Sequence, residues 1–97
     1  MIIWDKTKNE KLKNERGITF EQIAKIILRQ EYIAIIEHPS RPEQRYMIVF
    51  IKDYTHVVPL IYTDSGNFIL KTIFPSRKHH KIYGPKKNPS RSGGTMD

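Results

Sequence analysis

From Ser76 to Tyr83 the chain reads Ser76, Arg77, Lys78, His79, His80, Lys81, Ile82, Tyr83, without one acidic residue. Arginine holds phosphate through a planar fork of two N–H bonds, and lysine holds it as a point charge. Histidine gives or takes a proton near neutral pH. These side chains can hold and rearrange a phosphodiester. Rearranging a phosphodiester without a metal needs a base for the attacking hydroxyl, cations for the charge that builds on phosphorus and an acid for the leaving oxygen. His38, before two prolines, could serve as acid or base. Tyr62 could stack on a base or donate to a phosphate. Trp4 suits core packing or RNA stacking, and His79 and His80 could face the same cleft as Arg77.

Other chemistries lack their residues. The chain contains no cysteine, which excludes a disulfide framework and a thiolate metal site. His79 and His80 are adjacent, so on a helix they diverge by about 100° and lack the i, i+4 spacing of a helical metal pair. Gly17 and Gly66 stand alone, so no glycine-rich phosphate loop exists. No serine lies in a nucleophile elbow, and no carboxylate pair lies in an apolar stretch. No cofactor or metal is expected.

Positioning these residues takes a folded body. The chain has 97 residues, 38% of them hydrophobic and 10% aromatic, enough for one core. The expectation is one domain over 1–85 and a disordered basic tail over 86–97, where Gly, Ser, Pro and Lys show no apolar pattern. Ile2 to Trp4 reads as a strand, and Asp5 can cap a charged helix or turn that Gly17 ends. Thr19 and Gln22 form a capping box, with Ile18 and Ile23 as its staple. Phe20, Ile23 and Ile27 recur at helical spacing, predicting a helix over 20–29.

Tyr32 to Ile36 predicts a strand, followed by a loop over 38–42. Arg45 to Lys52 is apolar on both faces, which predicts a central strand covered twice. A turn over 53–55 leads to a strand over 56–63, where Pro59 argues for an edge position or a bulge. Asp64 to Asn67 is a tight-turn signal. Phe68 to Phe74 predicts a last strand, and Ser76 caps a short helix reaching Tyr83. The class is α+β: an antiparallel sheet of about four to five strands, two N-terminal helices packed on it and a short basic C-terminal helix. The helices are expected on one face.

The net charge is +7, of which three cations and one anion in the last fourteen residues contribute +2. A basic body suggests a polyanionic partner, most often nucleic acid. No apolar run approaches the roughly 20 residues that span a bilayer, and the first residues lack a signal-peptide core. A cytoplasmic location without membrane contact is the expectation.

At this point the chain resembles the BrnT-type toxins, ribonuclease halves of bacterial type II toxin–antitoxin pairs. The resemblance covers about residues 2 to 83 and rests on four pieces in order: "IIWD", "RGITFEQIAKI", "PEQRYMIVF", and "IYTDSG" followed by "IFPSRK". It implies a RelE-like fold and a metal-independent endoribonuclease that inhibits translation by cutting RNA. It also implies a BrnA-like ribbon-helix-helix antitoxin as partner, joined to the toxin in an oligomer. Arg45 matches the arginine of the family's Glu-x-Arg strand, and Arg77 matches the arginine of its helix entry. Both are thereby implied as phosphate contacts. Glu43 matches the glutamate of that strand and can pair with Arg45. Arg16, Lys78, His80 and Lys81 complete the expected RNA contacts.

One departure stands out. Many family members have Lys-His before the glycine, where this chain has Glu15-Arg16-Gly17. A guanidinium stays protonated through the physiological range and cannot be the base. The alternative is therefore a non-catalytic module that binds nucleic acid or the antitoxin.

Overall fold

The computed structural model describes residues 1–85, so the tail expected over 86–97 lies outside the described residues. The order is β1 (Ile2–Trp4), α1 (Lys6–Arg16), α2 (Phe20–Arg29), β2 (Ala34–Glu37), β3 (Arg45–Ile51), β4 (Tyr54–Tyr62), β5 (Phe68–Leu70), β6 (Phe74–Pro75) and α3 (Arg77–Tyr83). The class is α+β.

The sheet has six strands in the order β1-β5-β4-β3-β2, with β6 also on β4. The chain starts at one edge, passes through α1 and α2, and resumes at the opposite edge with β2. It then returns strand by strand until β5 lies beside β1. That path makes β1 and β5 parallel, with Ile2 opposite Phe68. The sheet is therefore mixed, which corrects the expectation of antiparallel pairing throughout. Among the described residues no helix is long and apolar enough to cross a membrane.

Both N-terminal helices form where their caps predict. The Asp5 carboxylate accepts from Lys8 N at 3.0 Å, and Gly17 closes α1 at φ 66°, where a Cβ is disfavoured. The Thr19 hydroxyl accepts from Gln22 N at 3.3 Å, and Gln22 Oε1 accepts from Thr19 N at 2.9 Å. Phe20, Ile23 and Ile27 of α2 are buried against Met47, Val49, Val58, Leu60, Leu70 and Ile73. By contrast, α1 buries only Asn9 and Leu12. The Asn9 side chain ties α1 to α2: Oδ1 accepts from Phe20 N at 2.7 Å, and Nδ2 donates to Glu21 Oε1 at 2.8 Å.

Strand alternation separates two faces. Met47, Val49, Val58 and Leu60 point toward α1 and α2. Tyr46, Ile48, Val57 and Thr55 point away, and Ile48 and Val57 are fully buried there too. On that second side α3 packs on β4. Helices thus cover both faces, correcting the expectation of one, and β3 is covered twice as its pattern predicts.

The strands differ from the expected spans. β2 runs Ala34–Glu37 instead of 32–36, because Tyr32 packs on the core before pairing begins. The β3–β4 reversal is the two-residue turn Lys52-Asp53, both at positive φ (51° and 58°), so β4 begins at Tyr54. β4 is central and not an edge, despite Pro59. The strand expected over 68–74 breaks in two. Leu60 pairs with Leu70 and Val57 with Phe74, so Lys71, Thr72 and Ile73 face only Val58 and Pro59. This extra residue is a bulge in the partner strand. Pro59, which has no N–H to give, lies opposite it, and its carbonyl accepts from Lys71 N at 2.9 Å.

Candidate functional site

Helix α3 starts where Ser76 Oγ accepts from His79 N at 3.2 Å and ends at Gly84. No residue of α3 is acidic, and none is fully buried. Arg77, Lys78 and Lys81 are exposed, while His79, His80 and Tyr83 are half-buried. The helix lays its histidines on the sheet and leaves its cations in solvent.

A chain of rings joins α3 to β3 and the 38–42 loop. Tyr46 stands 4.7 Å from His38, 5.8 Å from His79 and 6.0 Å from Phe74 between ring centres. His79 in turn stacks on Tyr83 at 6.4 Å. A second group lies beside it, where His80 stacks on Tyr54 at 4.1 Å and on Phe50 at 6.4 Å.

The four histidines differ in what their Nδ1 atoms do. His38 Nδ1 accepts from Ser40 N and Arg41 N, each at 3.0 Å, so a neutral ring carries its proton on Nε2. His80 Nδ1 accepts from Thr55 N at 3.3 Å and lies 2.8 Å from Thr55 Oγ1, which leaves the same tautomer. His56 Nδ1 lies 2.9 Å from the Tyr54 carbonyl, and a carbonyl only accepts, so there the proton is on Nδ1. His79 Nδ1 lies 2.6 Å from Ser76 Oγ, where either atom can donate.

Two histidines are held below the ordinary value of 6.5. Burial pushes His56 down, with a smaller push from Arg16 at the end of α1. Burial also lowers His79, followed by the Lys78 charge. On an exposed carboxylate at the α1–α2 junction, the Asn9 bond is the first of several influences holding Glu21 low.

Several expected site residues are not brought together. Arg45 heads β3 on the Met47 side by alternation, and its guanidinium donates to the Pro42 and Gln44 carbonyls, each at 3.1 Å. It therefore braces the 41–44 turn and neither meets Arg77 across the sheet nor hydrogen-bonds Glu43, which is exposed in that turn. Arg45 and His38 do line one open cleft of about 270 Å³ with Glu37, Pro39, Ser40 and Pro42. Tyr62 is 60% exposed but packs edge-on against Phe68, and alternation puts it on the opposite face from Tyr46. Trp4 stacks on Phe20 at 5.9 Å, which is core packing on the far edge strand. Arg16 belongs to another group, near His56 and beside Gly17, where Lys52 Nζ comes within 2.8 Å of where a Cβ would be. His80 anchors α3, with Nδ1 committed to Thr55.

The residues that sequence reasoning underweighted are Tyr46, His56 and His79. The signal for Tyr46 was present, since it shares a strand face with Ile48 and Phe50 and needs a partner there. His56 is the third residue of β4, between Thr55 and Val57, with no motif to single it out.

Among the described residues, no group of three or more His, Asp or Glu side chains is placed to share a metal ion. Compared with protein-family models, curated proteins and solved structures, the chain matches none.

Proposed function

We propose that the chain is a metal-independent RNA endonuclease, the toxin of a type II toxin–antitoxin pair. In this reading it is a BrnT-type protein with a RelE-like fold, restrained by a BrnA-like ribbon-helix-helix antitoxin. The carrying observation is the Tyr46 ring, which touches both His38 and His79 and so joins the sheet to the acid-free helix bearing Arg77, Lys78 and Lys81. Aromatic rings accept the face of an unstacked base, and exposed cations meet its phosphates. Arg77 enters as the phosphorane contact.

A second reading is a binding module without catalysis. It is favoured by Glu15-Arg16 standing where the resembled family often has Lys-His, and by His38 and His80 both using Nδ1 to accept backbone N–H groups. The two readings part in one experiment. The purified chain is incubated with RNA in excess EDTA, beside a metal-independent control nuclease, and binding is followed at rising salt. Fragmentation supports the endonuclease. Salt-sensitive binding with RNA left intact supports the module.

A further inference from the structure

Four histidines lie on or near the sheet, and their hydrogen bonds decide which can cycle a proton. A histidine that acts as base must pass from imidazole to imidazolium and back. In the imidazolium both ring nitrogens are donors. His38 would then turn an N–H toward the Ser40 and Arg41 N–H groups that it now accepts. His80 would do the same toward Thr55 N. Each would break the bonds that place it. His56 can hold a proton on Nδ1 against the Tyr54 carbonyl in either state, but it is 5% exposed, too enclosed for a ribose to approach.

His79 has neither restriction. Its Nδ1 partner is a hydroxyl, which can accept from Nδ1–H in the neutral and the charged ring alike. The bond to Ser76 therefore survives protonation. The ring is held on both sides, edge-on to Tyr46 and stacked with Tyr83. It is half-buried, so an edge reaches solvent. With Nδ1 committed to Ser76, Nε2 is the nitrogen left to meet a substrate.

We propose that His79 is the general base of the cleavage, with Ser76 as its positioning residue; this rests on the endonuclease reading above. Nε2 takes the proton of the ribose 2′-OH. The 2′-oxygen bonds to phosphorus, the bond from phosphorus to the 5′-oxygen breaks, and the departing oxygen takes a proton from water. The products are a 2′,3′-cyclic phosphate and a 5′-hydroxyl, and the imidazolium returns its proton to solvent.

The titratable neighbours of His79 are Lys78 on its own helix, Tyr83 one turn on and Tyr46 from β3, with His38 behind Tyr46. Burial and the Lys78 charge keep the ring neutral, and so able to accept a proton, at neutral pH. Activity should fall with acid only below the ordinary histidine value of 6.5.

The test compares the full chain with His79→Asn and His38→Asn in single-turnover RNA cleavage from pH 5 to 8, with RNA affinity measured alongside. Asparagine at 79 keeps a group that can reach Ser76. The expected result is a loss of at least about 100-fold in rate for His79→Asn, the usual contribution of general acid–base catalysis. RNA affinity should stay within about threefold, the acid limb should vanish, and added imidazole should recover part of the rate. His38→Asn, which removes the ring packed on Tyr46, should lose less rate than His79→Asn and should keep the acid limb. Cleavage by His79→Asn within threefold of the parent overturns the role of His79 and leaves the endonuclease reading standing. A parent profile flat from pH 5 to 8 also overturns that role, without needing any variant to fold. A parent chain that leaves RNA intact overturns both.

Discussion

His80 Nδ1 lies 2.8 Å from Thr55 Oγ1 and 3.3 Å from Thr55 N, so the ring takes up the hydroxyl and the backbone N–H of a fully buried threonine. This fastens α3 to β4. Adjacent histidines on one short helix thus take different parts: His80 anchors the helix, and His79 meets the ring of Tyr46.

The anchor predicts a graded loss of stability. Thr55→Val keeps the volume and removes the hydroxyl, and should cost about 1 kcal/mol, one ordinary hydrogen bond. Gly84→Ala should cost more. Its Cβ would fall 2.5 Å from the His80 carbonyl oxygen and 2.6 Å from its Nδ1, although the backbone angle at Gly84 is one any residue adopts. Urea unfolding checks both. Equal midpoints for parent and Gly84→Ala would contradict the close packing.

His56 predicts a pH dependence of stability. Burial holds its folded-state pKa below 6.5 against the opposing pull of the Tyr54 carbonyl bond, with a smaller push down from Arg16. The unfolded chain therefore binds a proton near pH 6.5 that the folded chain refuses, and stability should fall as pH drops below that value. His79 adds in the same direction. Above about pH 7.5 this contribution levels off. Arg16→Gln should flatten the slope, which urea midpoints at pH 5.5 and 7.5 would show, whereas an unchanged slope would remove Arg16 from the effect.

Asn9 predicts coupling between the first two helices. Asn9→Ala leaves the buried Phe20 N–H without its acceptor and should cost about 1–3 kcal/mol. Glu21→Gln should cost far less, since that carboxylate is exposed. Thermal unfolding ranks the two, and a milder effect from Asn9→Ala would contradict the bridging role.

The β3–β4 turn predicts a stabilising change. Asp53 sits at φ 58°, a conformation that costs a residue with a Cβ about 1 kcal/mol and glycine almost nothing. Asp53→Gly should raise the denaturation midpoint, and a lower midpoint would show that the aspartate has a compensating contact.

Much of the fold was legible because local chemistry decides it. Asp5, Thr19 and Ser76 each cap the helix that follows, as their types and positions predict. The sheet was less legible, because its pairings join distant segments. Nothing near Ile2 says that it lies beside Phe68, and Pro59 is tolerated in a central strand only because a bulge forms opposite it. The candidate site divides the same way. The charge of α3 was plain from its residues, whereas the commitment of Arg45 to the Pro42 and Gln44 carbonyls appears only in the folded chain. So does the use of His38 Nδ1 to accept two backbone N–H groups.

Metal-free RNA cleavage is tested most directly by the end chemistry of RNA incubated with the chain in excess EDTA. The expected fragments carry 5′-hydroxyl and 2′,3′-cyclic phosphate ends, with no cut at a site where a single 2′-deoxynucleotide replaces the ribonucleotide. Arg77→Ala should slow that cleavage by about 100-fold, as loss of one charge-stabilising donor does. Intact RNA, fragments with 5′-phosphate ends, or cleavage that appears only when a divalent cation is added would contradict it.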